Sequence, residues 1–362
     1  MLYYLLYPLR SMISGFNVFR YITFRTAWAA LTALVISFIL GPWLIEKMRQ
    51  IKLGQFIREE GPKSHQQKAG TPTMGGILIN IAILIPTVLW ADILNPYIWI
   101  ILFVTFAYGA IGFVDDYRKL AKKQNLGLTA KEKFTAQIAV ALAAGLAIAY
   151  LPSIHNNYST SITFPFIKHF AITLGPAYLI LIVIILVGAS NGVNLTDGLD
   201  GLAIGSTLIV AATYTILTYA AGNFRVADYL RIAWVPQAGE LAVFCGAMAG
   251  ACLGFLWFNA HPAEIFMGDV GSLALGGAIG CIAVIIKQEI LLGLVGGLFV
   301  LEGMSVILQV ASFKLTGRRI FKMSPLHHHF ELSGWRETKV VVRFWIIAII
   351  FALISLSTLK LR

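Results

Sequence analysis

The chain has 362 residues, of which 58% are hydrophobic and only 12% charged, and its mean hydropathy is +0.79; an ordinary soluble domain carries roughly 25% charged residues. Apolar runs of about twenty residues recur along almost the whole length, which excludes a soluble enzyme with one anchor and any disordered or fibrous protein. The runs are continuously apolar, which excludes a membrane β-barrel, and the net charge of +11 reads as Lys and Arg held in cytoplasmic loops beside anionic lipid; no nucleic-acid partner is expected.

In chain order, Met1 to Arg20 has a short apolar run broken by Pro8 and no small-residue cleavage site after it, so it reads as a retained interfacial segment. Candidate spans follow near Tyr21 to Ile45, Met74 to Trp90, Ile98 to Val114, Phe134 to Leu151, Ile172 to Ser190, Leu202 to Ala221, Leu241 to Trp257, Val270 to Ile286, Ile290 to Phe313 and Val340 to Leu359, about ten in all. Trp90 and Trp99, around the Asn95-Pro96-Tyr97 turn, and Trp257 supply interfacial punctuation. Cys245, Cys252 and Cys281 lie inside apolar runs without neighbouring His and read as small core residues. If the loops after the odd-numbered spans share one side, they and the adjoining span ends carry six, six, none, none and seven Lys or Arg, nineteen of the 28. The positive-inside rule then puts those loops in the cytoplasm and both termini outside. The expected architecture is an all-α polytopic membrane protein, a single integral membrane domain over residues 1–362 with a cytoplasmic cleft.

The acids are few, 17, and twelve fall in or beside those five loops. A carboxylate held near hydrocarbon is costly unless it has a partner or a task. Asp115-Asp116 closes an apolar helix and is followed at once by Arg118 and Lys119. The doublet can bind Mg²⁺ or take a proton from a phosphate; it can equally be a solvated helix end paired with those cations. Ala189 to Leu202 contains Asn191, Asn194, Asp197 and Asp200 and no basic residue, so its amides and glycine turns can hold a sugar, a base or a hydrated metal. Asp197 and Asp200, three apart, would share a face if the next helix began there. Asn259 to Ser272 contains Asp269, which closes a loop and opens a span, a position where the helix dipole favours an anion and where a metal ligand would be held rigidly. Phe266 in the same loop suits either base stacking or interfacial anchoring, and the sequence leaves both open.

Ser324 to Trp335 holds the triplet His327-His328-His329. Consecutive side chains point different ways, so the triplet is a weak zinc signal and suits hydrogen bonding to phosphate better. Lys68, Thr71 and Thr73 lie in a Gly/Pro loop entering the second span, with ammonium and hydroxyl donors but without P-loop order. Lys131 and Lys133 stand similarly before the fourth span. All five motifs fall on one side of a topology obtained from spans and charge alone, which fits a phosphate-rich, metal-assisted reaction on a membrane-bound substrate.

The Asp-Asp doublet, the Asn-x-x-Asn…Asp-Gly-x-Asp-Gly loop and the Met-Gly-Asp-x-Gly-Ser loop resemble the polyprenyl-phosphate N-acetylhexosamine-1-phosphate transferase superfamily. Within it, Lys68 to Gly76 (KAGTPTMGG) and Pro325 to Trp335 (PLHHHFELSGW) are similar to the phospho-N-acetylmuramoyl-pentapeptide-transferase family. The resemblance implies a ten-span enzyme of the bacterial inner membrane, its active site facing the cytoplasm, that depends on Mg²⁺. It would move phospho-MurNAc-pentapeptide from UDP-MurNAc-pentapeptide to undecaprenyl phosphate within membrane lipid, releasing UMP. It also implies Asp269 as the Mg²⁺ ligand, and Asp115, Asp116, Asp269 and His328 as catalytic groups. Lys68, Thr73, Lys133, Asn191, Asn194, Asp197, Asp200, Asn259, Phe266, Gln309, His327 and His329 would line the substrate site. In the family the ninth span is bent, which the Gly-rich stretch Gly293 to Gly303 permits.

Chemistry points the same way, because setting a phosphate monoester against a diphosphate brings anion to anion and demands cations that neutralise the diphosphate. Direct attack by the carrier phosphate is expected, together with an apolar groove beside Asp115 through which the lipid enters; a covalent phospho-enzyme is the other route. The rival readings are a sister transferase using UDP-N-acetylglucosamine, which has no need of the Pro325 to Trp335 block, and a multi-span transporter, which predicts acids near span centres where only Glu302 is plainly placed. Neither the role of Glu302 nor the oligomeric state follows from the sequence, a homodimer being one option.

Overall fold

The computed structural model describes residues 1–50, 70–121, 127–151, 159–165, 167 and 170–360. The helices in chain order are α1 (Leu2–Leu6), α2 (Ile22–Gln50), α3 (Gly76–Trp90), α4 (Pro96–Ala121), α5 (Ala130–Tyr150), α6 (Tyr178–Thr196), α7 (Leu202–Gly222), α8 (Phe224–Leu230), α9 (Leu241–Asn259), α10 (Gly268–Ile285), α11 (Glu289–Val295), α12 (Gly297–Thr316), α13 (Leu326–Glu331) and α14 (Glu337–Thr358). Between α5 and α6 lies an antiparallel pair, β1 (Ser161–Thr163) and β2 (Ala171–Thr173), in register Ile162 to Ile172. Among the described residues nine helices are long and apolar enough to cross a membrane, and α3 is a shorter apolar helix. The protein is an all-α polytopic membrane protein.

Local chemistry sets the boundaries. Pro96 opens α4, where a missing backbone donor costs nothing. Thr129 and Glu132 form a reciprocal capping box at the start of α5. The expected third span ended at Val114, but α4 runs on to Ala121 because Lys119 neutralises Asp115 and Asp116 at helical spacing. Residues expected at the start of the fifth span form β2 instead, and α6 continues through Asn191 and Asn194, so both amides stand on a helix. The ninth span is broken, with α11 and α12 meeting at Gly296.

At the centre is α10, whose residues Val270 to Ile285 are all buried. With no hydrophobic drive between helices in lipid, small residues let neighbours approach closely. Gly112 of α4 shows how close: a Cβ there would lie 2.1 Å from the Asp269 carbonyl oxygen, and a Cβ at Gly76 of α3 would lie 2.0 Å from the Gly271 nitrogen. Those contacts bring the carboxylate-bearing end of α4 against the first turn of α10. By contrast α12 stands mostly outside the bundle, with Val300, Leu301, Met304, Ile307 and Leu308 exposed. Its inward face carries Glu302, Ser305 and Gln309, all buried.

Candidate active site

The close packing of α4 on α10 puts three carboxylates in one place. Ligating oxygens of Asp115, Asp116 and Asp269 all lie within 4.8 Å of one another, and Asp115 and Asp116 are buried. Such a cluster of anions stands only with compensation. Lys119 Nζ supplies part of it, at 2.6 Å from Asp115 Oδ2, 3.2 Å from Asp116 Oδ1 and 3.1 Å from Asp269 Oδ2. Lys133, from the first turn of α5, adds a second ammonium 2.7 Å from Asp269 Oδ2.

Backbone donors complete the cluster. The Leu128 N–H donates to Asp115 Oδ1 at 2.7 Å, and the Val270 N–H, at the start of α10, donates to Asp116 Oδ2 at 3.2 Å. The other oxygen of Asp269 accepts from Asn194 Nδ2 at 2.7 Å, and the same amide nitrogen reaches Ser272 Oγ at 2.8 Å. Gly268, just before Asp269, has φ +69. A Cβ there would stand 2.5 Å from Asp116 Oδ2 and 3.1 Å from Thr73 Oγ1, so only glycine fits both the backbone and the space. Thr73 is brought in by main-chain pairing, with Phe266 N–H donating to the Pro72 carbonyl and Gly75 N–H to the Phe266 carbonyl, each at 2.8 Å.

The turn between α6 and α7 forms the flank. Asp197 and Asp200 both precede α7, which starts only at Leu202 after Gly201 at φ +79, so they share no helical face. Asp197 accepts from the Gly268 backbone N–H; burial, reinforced by the charges of Asp269, Asp116 and Asp200, pushes its carboxyl up to about 8. Asp200 turns the other way, to His261 Nδ1 at 3.0 Å and the Ala263 N–H at 3.2 Å, while its own N–H donates to Glu337 Oε1 at 2.9 Å. Asn259 is buried and bridges two loops, accepting from the Gly201 N–H at 3.1 Å and donating to the Ile265 carbonyl at 2.8 Å. Asn191, one turn before Asn194, donates to Gln137 Oε1 at 2.9 Å.

The His block is the short helix α13. His327 is buried against the Asp197 turn, its Nε2 lying 2.3 Å from where a Cβ of Gly198 would be. His328 Nδ1 meets Glu331 Oε2 at 2.8 Å, and His329 Nδ1 accepts from the Lys322 N–H at 3.2 Å. Gln309 of α12 binds the Ile320 and Phe321 N–H groups at 3.0 and 2.9 Å and the Phe321 carbonyl at 3.0 Å, fastening the segment that leads to α13. The structure therefore gathers Asp115, Asp116, Asp269, Lys133, Asn194, Thr73 and Asp197 into one cluster. Asp200, Asn259, Gln309 and His329 face supporting partners. Lys68 lies outside the described residues.

Sequence reasoning cast Lys119 as a neutralising neighbour of the doublet, whereas its ammonium is shared by all three carboxylates; its spacing from them was the available signal. Ser272 closes the Met-Gly-Asp-x-Gly-Ser motif and Glu337 is one of the twelve loop acids, but neither was assigned a role; Gln137, inside an apolar run, carried no local signal.

Over residues 98–287 the chain matches the family model described as Glycosyl transferase family 4. Fold and site thus define a polytopic membrane glycosyl transferase. Over residues 68–79 it also matches the model described as Phospho-N-acetylmuramoyl-pentapeptide-transferase signature 1. It is 59% identical over 364 residues to the phospho-N-acetylmuramoyl-pentapeptide-transferase of Desulfatibacillum aliphaticivorans. The enzymes of that name from Koribacter versatilis and Syntrophus aciditrophicus are 56% and 55% identical, and all three matches cover 100% of both chains. The chain belongs to the phospho-N-acetylmuramoyl-pentapeptide-transferase family.

Proposed function

We propose that this protein transfers phospho-MurNAc-pentapeptide from UDP-MurNAc-pentapeptide to undecaprenyl phosphate, forming lipid I and UMP for peptidoglycan synthesis. The carrying observation is the cluster of Asp115, Asp116 and Asp269 under two ammonium groups, in a chain whose full-length relatives bear that enzyme's name. The excess of Lys and Arg in the odd-numbered loops supports a site facing the cytoplasm from the inner membrane.

A carrier phosphate oxygen attacks the sugar-bearing phosphorus of the donor, the phosphoanhydride bond breaks, and UMP leaves. Asp115 or Asp116 takes the proton of the carrier phosphate. Lys119 and Lys133 hold the cluster together and turn positive charge toward a diphosphate. Asn194, Asp197 and Phe266, with Lys68 and Thr73, bind the nucleotide and sugar, while His328 donates to phosphate.

The residues fit Mg²⁺. Carboxylate oxygens are the hard donors it prefers, and the Lys119 ammonium already shows that a cation is stable among the three. Asp269 would ligate the ion, with Asp115 and Asp116 beside it. When bound, Mg²⁺ neutralises diphosphate charge.

Glu302, the mid-span acid that a transporter would use, lies against His327 of α13. Chelation tests the metal: EDTA should abolish UMP release and added Mg²⁺ restore it, whereas turnover persisting in EDTA would refute the ion's role.

A further inference from the structure

We propose that Glu302 is a positioning residue for this reaction, acting through His327 to set the Asp197 turn against Asp269. The inference rests on the transferase reading above. Its ground is a buried pair of ionisable groups that the chemistry just described leaves unused. Glu302 and His327 are both wholly buried, and His327 Nδ1 lies 3.2 Å from Glu302 Oε1. Neither carboxylate oxygen and neither ring nitrogen has a hydrogen-bond partner among the described residues.

A carboxylate placed this way costs more to desolvate than one contact returns, and an apolar residue of similar size would usually serve stability as well or better. Stability alone therefore gives no reason for it. Position does. The break at Gly296 puts Glu302 in the second turn of α12, on the inward face that also carries Ser305 and Gln309. Gln309 holds the segment leading into α13 by three hydrogen bonds. Glu302 holds α13 itself, because His327 is the second residue of that helix.

From His327 the contact passes directly into the site. Its Nε2 edge abuts Gly198 so closely that no side chain fits between them. Gly198 follows Asp197, whose carboxylate accepts from the N–H of Gly268, the residue before Asp269. On its other side the same turn is fixed by Glu337, His261 and the indole of Trp345, which donates to the Gly201 carbonyl at 3.2 Å. The imidazole is thus a wedge of fixed thickness between α12 and the turn. The charge contact of 3.2 Å to the carboxylate sets its orientation, since a ring without that contact could rotate and let the turn relax away from α10.

The experiment compares wild type with Glu302→Gln, Glu302→Asp, His327→Gln and the Glu302→Gln/His327→Gln double variant. It measures kcat and donor KM for UMP release from UDP-MurNAc-pentapeptide, with the thermal midpoint of each protein in the same detergent. A positioning role predicts that Glu302→Gln lowers kcat at least about tenfold while KM stays within about threefold, because a wedge that orients the site is felt in the transition state. Glu302→Asp, which keeps the carboxylate, recovers part of that loss, and the double variant is no worse than the poorer single one. If Glu302→Gln does not accumulate as folded protein, His327→Gln must show the same kcat loss at unchanged KM.

The proposal is overturned if both single variants keep wild-type kcat, if their losses multiply in the double variant, or if Asp is as damaging as Gln and activity falls only with folded protein. A wild type that does not turn over the muramoyl donor would instead overturn the transferase reading, and this inference with it.

Discussion

Gly112→Ala probes the junction on which the whole site depends. The added Cβ would lie 2.1 Å from the Asp269 carbonyl oxygen, 2.4 Å from its carbon and 2.6 Å from the Val270 nitrogen, all backbone atoms that no rotamer change can move. Ordinary contact begins at about 3.4 Å, so α4 and α10 must part by about 1 Å. Overpacking of that kind costs about 1–3 kcal/mol. The larger effect falls on chemistry, because the shift stretches the Val270 N–H bond to Asp116, 3.2 Å in the undisturbed site, and separates Asp115 and Asp116 from Asp269. A misplacement of about 1 Å lowers kcat by about a hundredfold. UMP release at saturating donor and carrier, with the thermal midpoint in the same detergent, reads both effects. A Gly112→Ala enzyme with wild-type kcat and midpoint would refute the claim that close packing of α4 on α10 builds the site.

Two further outcomes follow from the flank of the site. The Asp197 carboxyl is raised to about 8 in the folded protein from an ordinary 3.8, so between those values the folded state binds more protons than the unfolded, and stability falls as pH rises. In EDTA, wild type should lose thermal stability between pH 6 and pH 9 more steeply than Asp197→Asn, and parallel curves would refute the assignment. Asn259→Ala leaves the Gly201 N–H and the Ile265 carbonyl without partners, at about 1–3 kcal/mol for each buried group; the midpoint should drop by several degrees and donor KM rise, and an unchanged midpoint would contradict the bridging role.

Much of the fold could be read from composition, because a span of lipid demands a run of apolar residues that nothing else in a chain imitates. The ends of spans were harder to read where a side chain repairs what hydropathy sees as a boundary. Lys119 lets α4 carry two carboxylates past Val114, and Asn191 and Asn194 extend α6 by bonding to side chains on α5 and α10. Ala171 to Thr173 is as apolar as a helix start, and only its pairing with Ser161 to Thr163 makes it a strand. In the site, the acids stood out because acids are rare in this chain. Their partners did not. Gln137 is an ordinary residue, and Ser272 and Glu337 have no assigned role, until packing brings them to Asn191, Asn194 and Asp200. The His triplet was expected to diverge, with His328 catalytic and His327 and His329 toward substrate; the helix does send them apart, His327 inward to Glu302, His328 to Glu331 and His329 to the Lys322 N–H.

The central claim is the transfer itself, and the most direct test is UMP release by the purified protein in detergent with Mg²⁺ and undecaprenyl phosphate, comparing UDP-MurNAc-pentapeptide with UDP-N-acetylglucosamine. Turnover of the muramoyl donor alone is the predicted result. Turnover of the N-acetylglucosamine donor, or of neither while a known transferase works alongside, would contradict it.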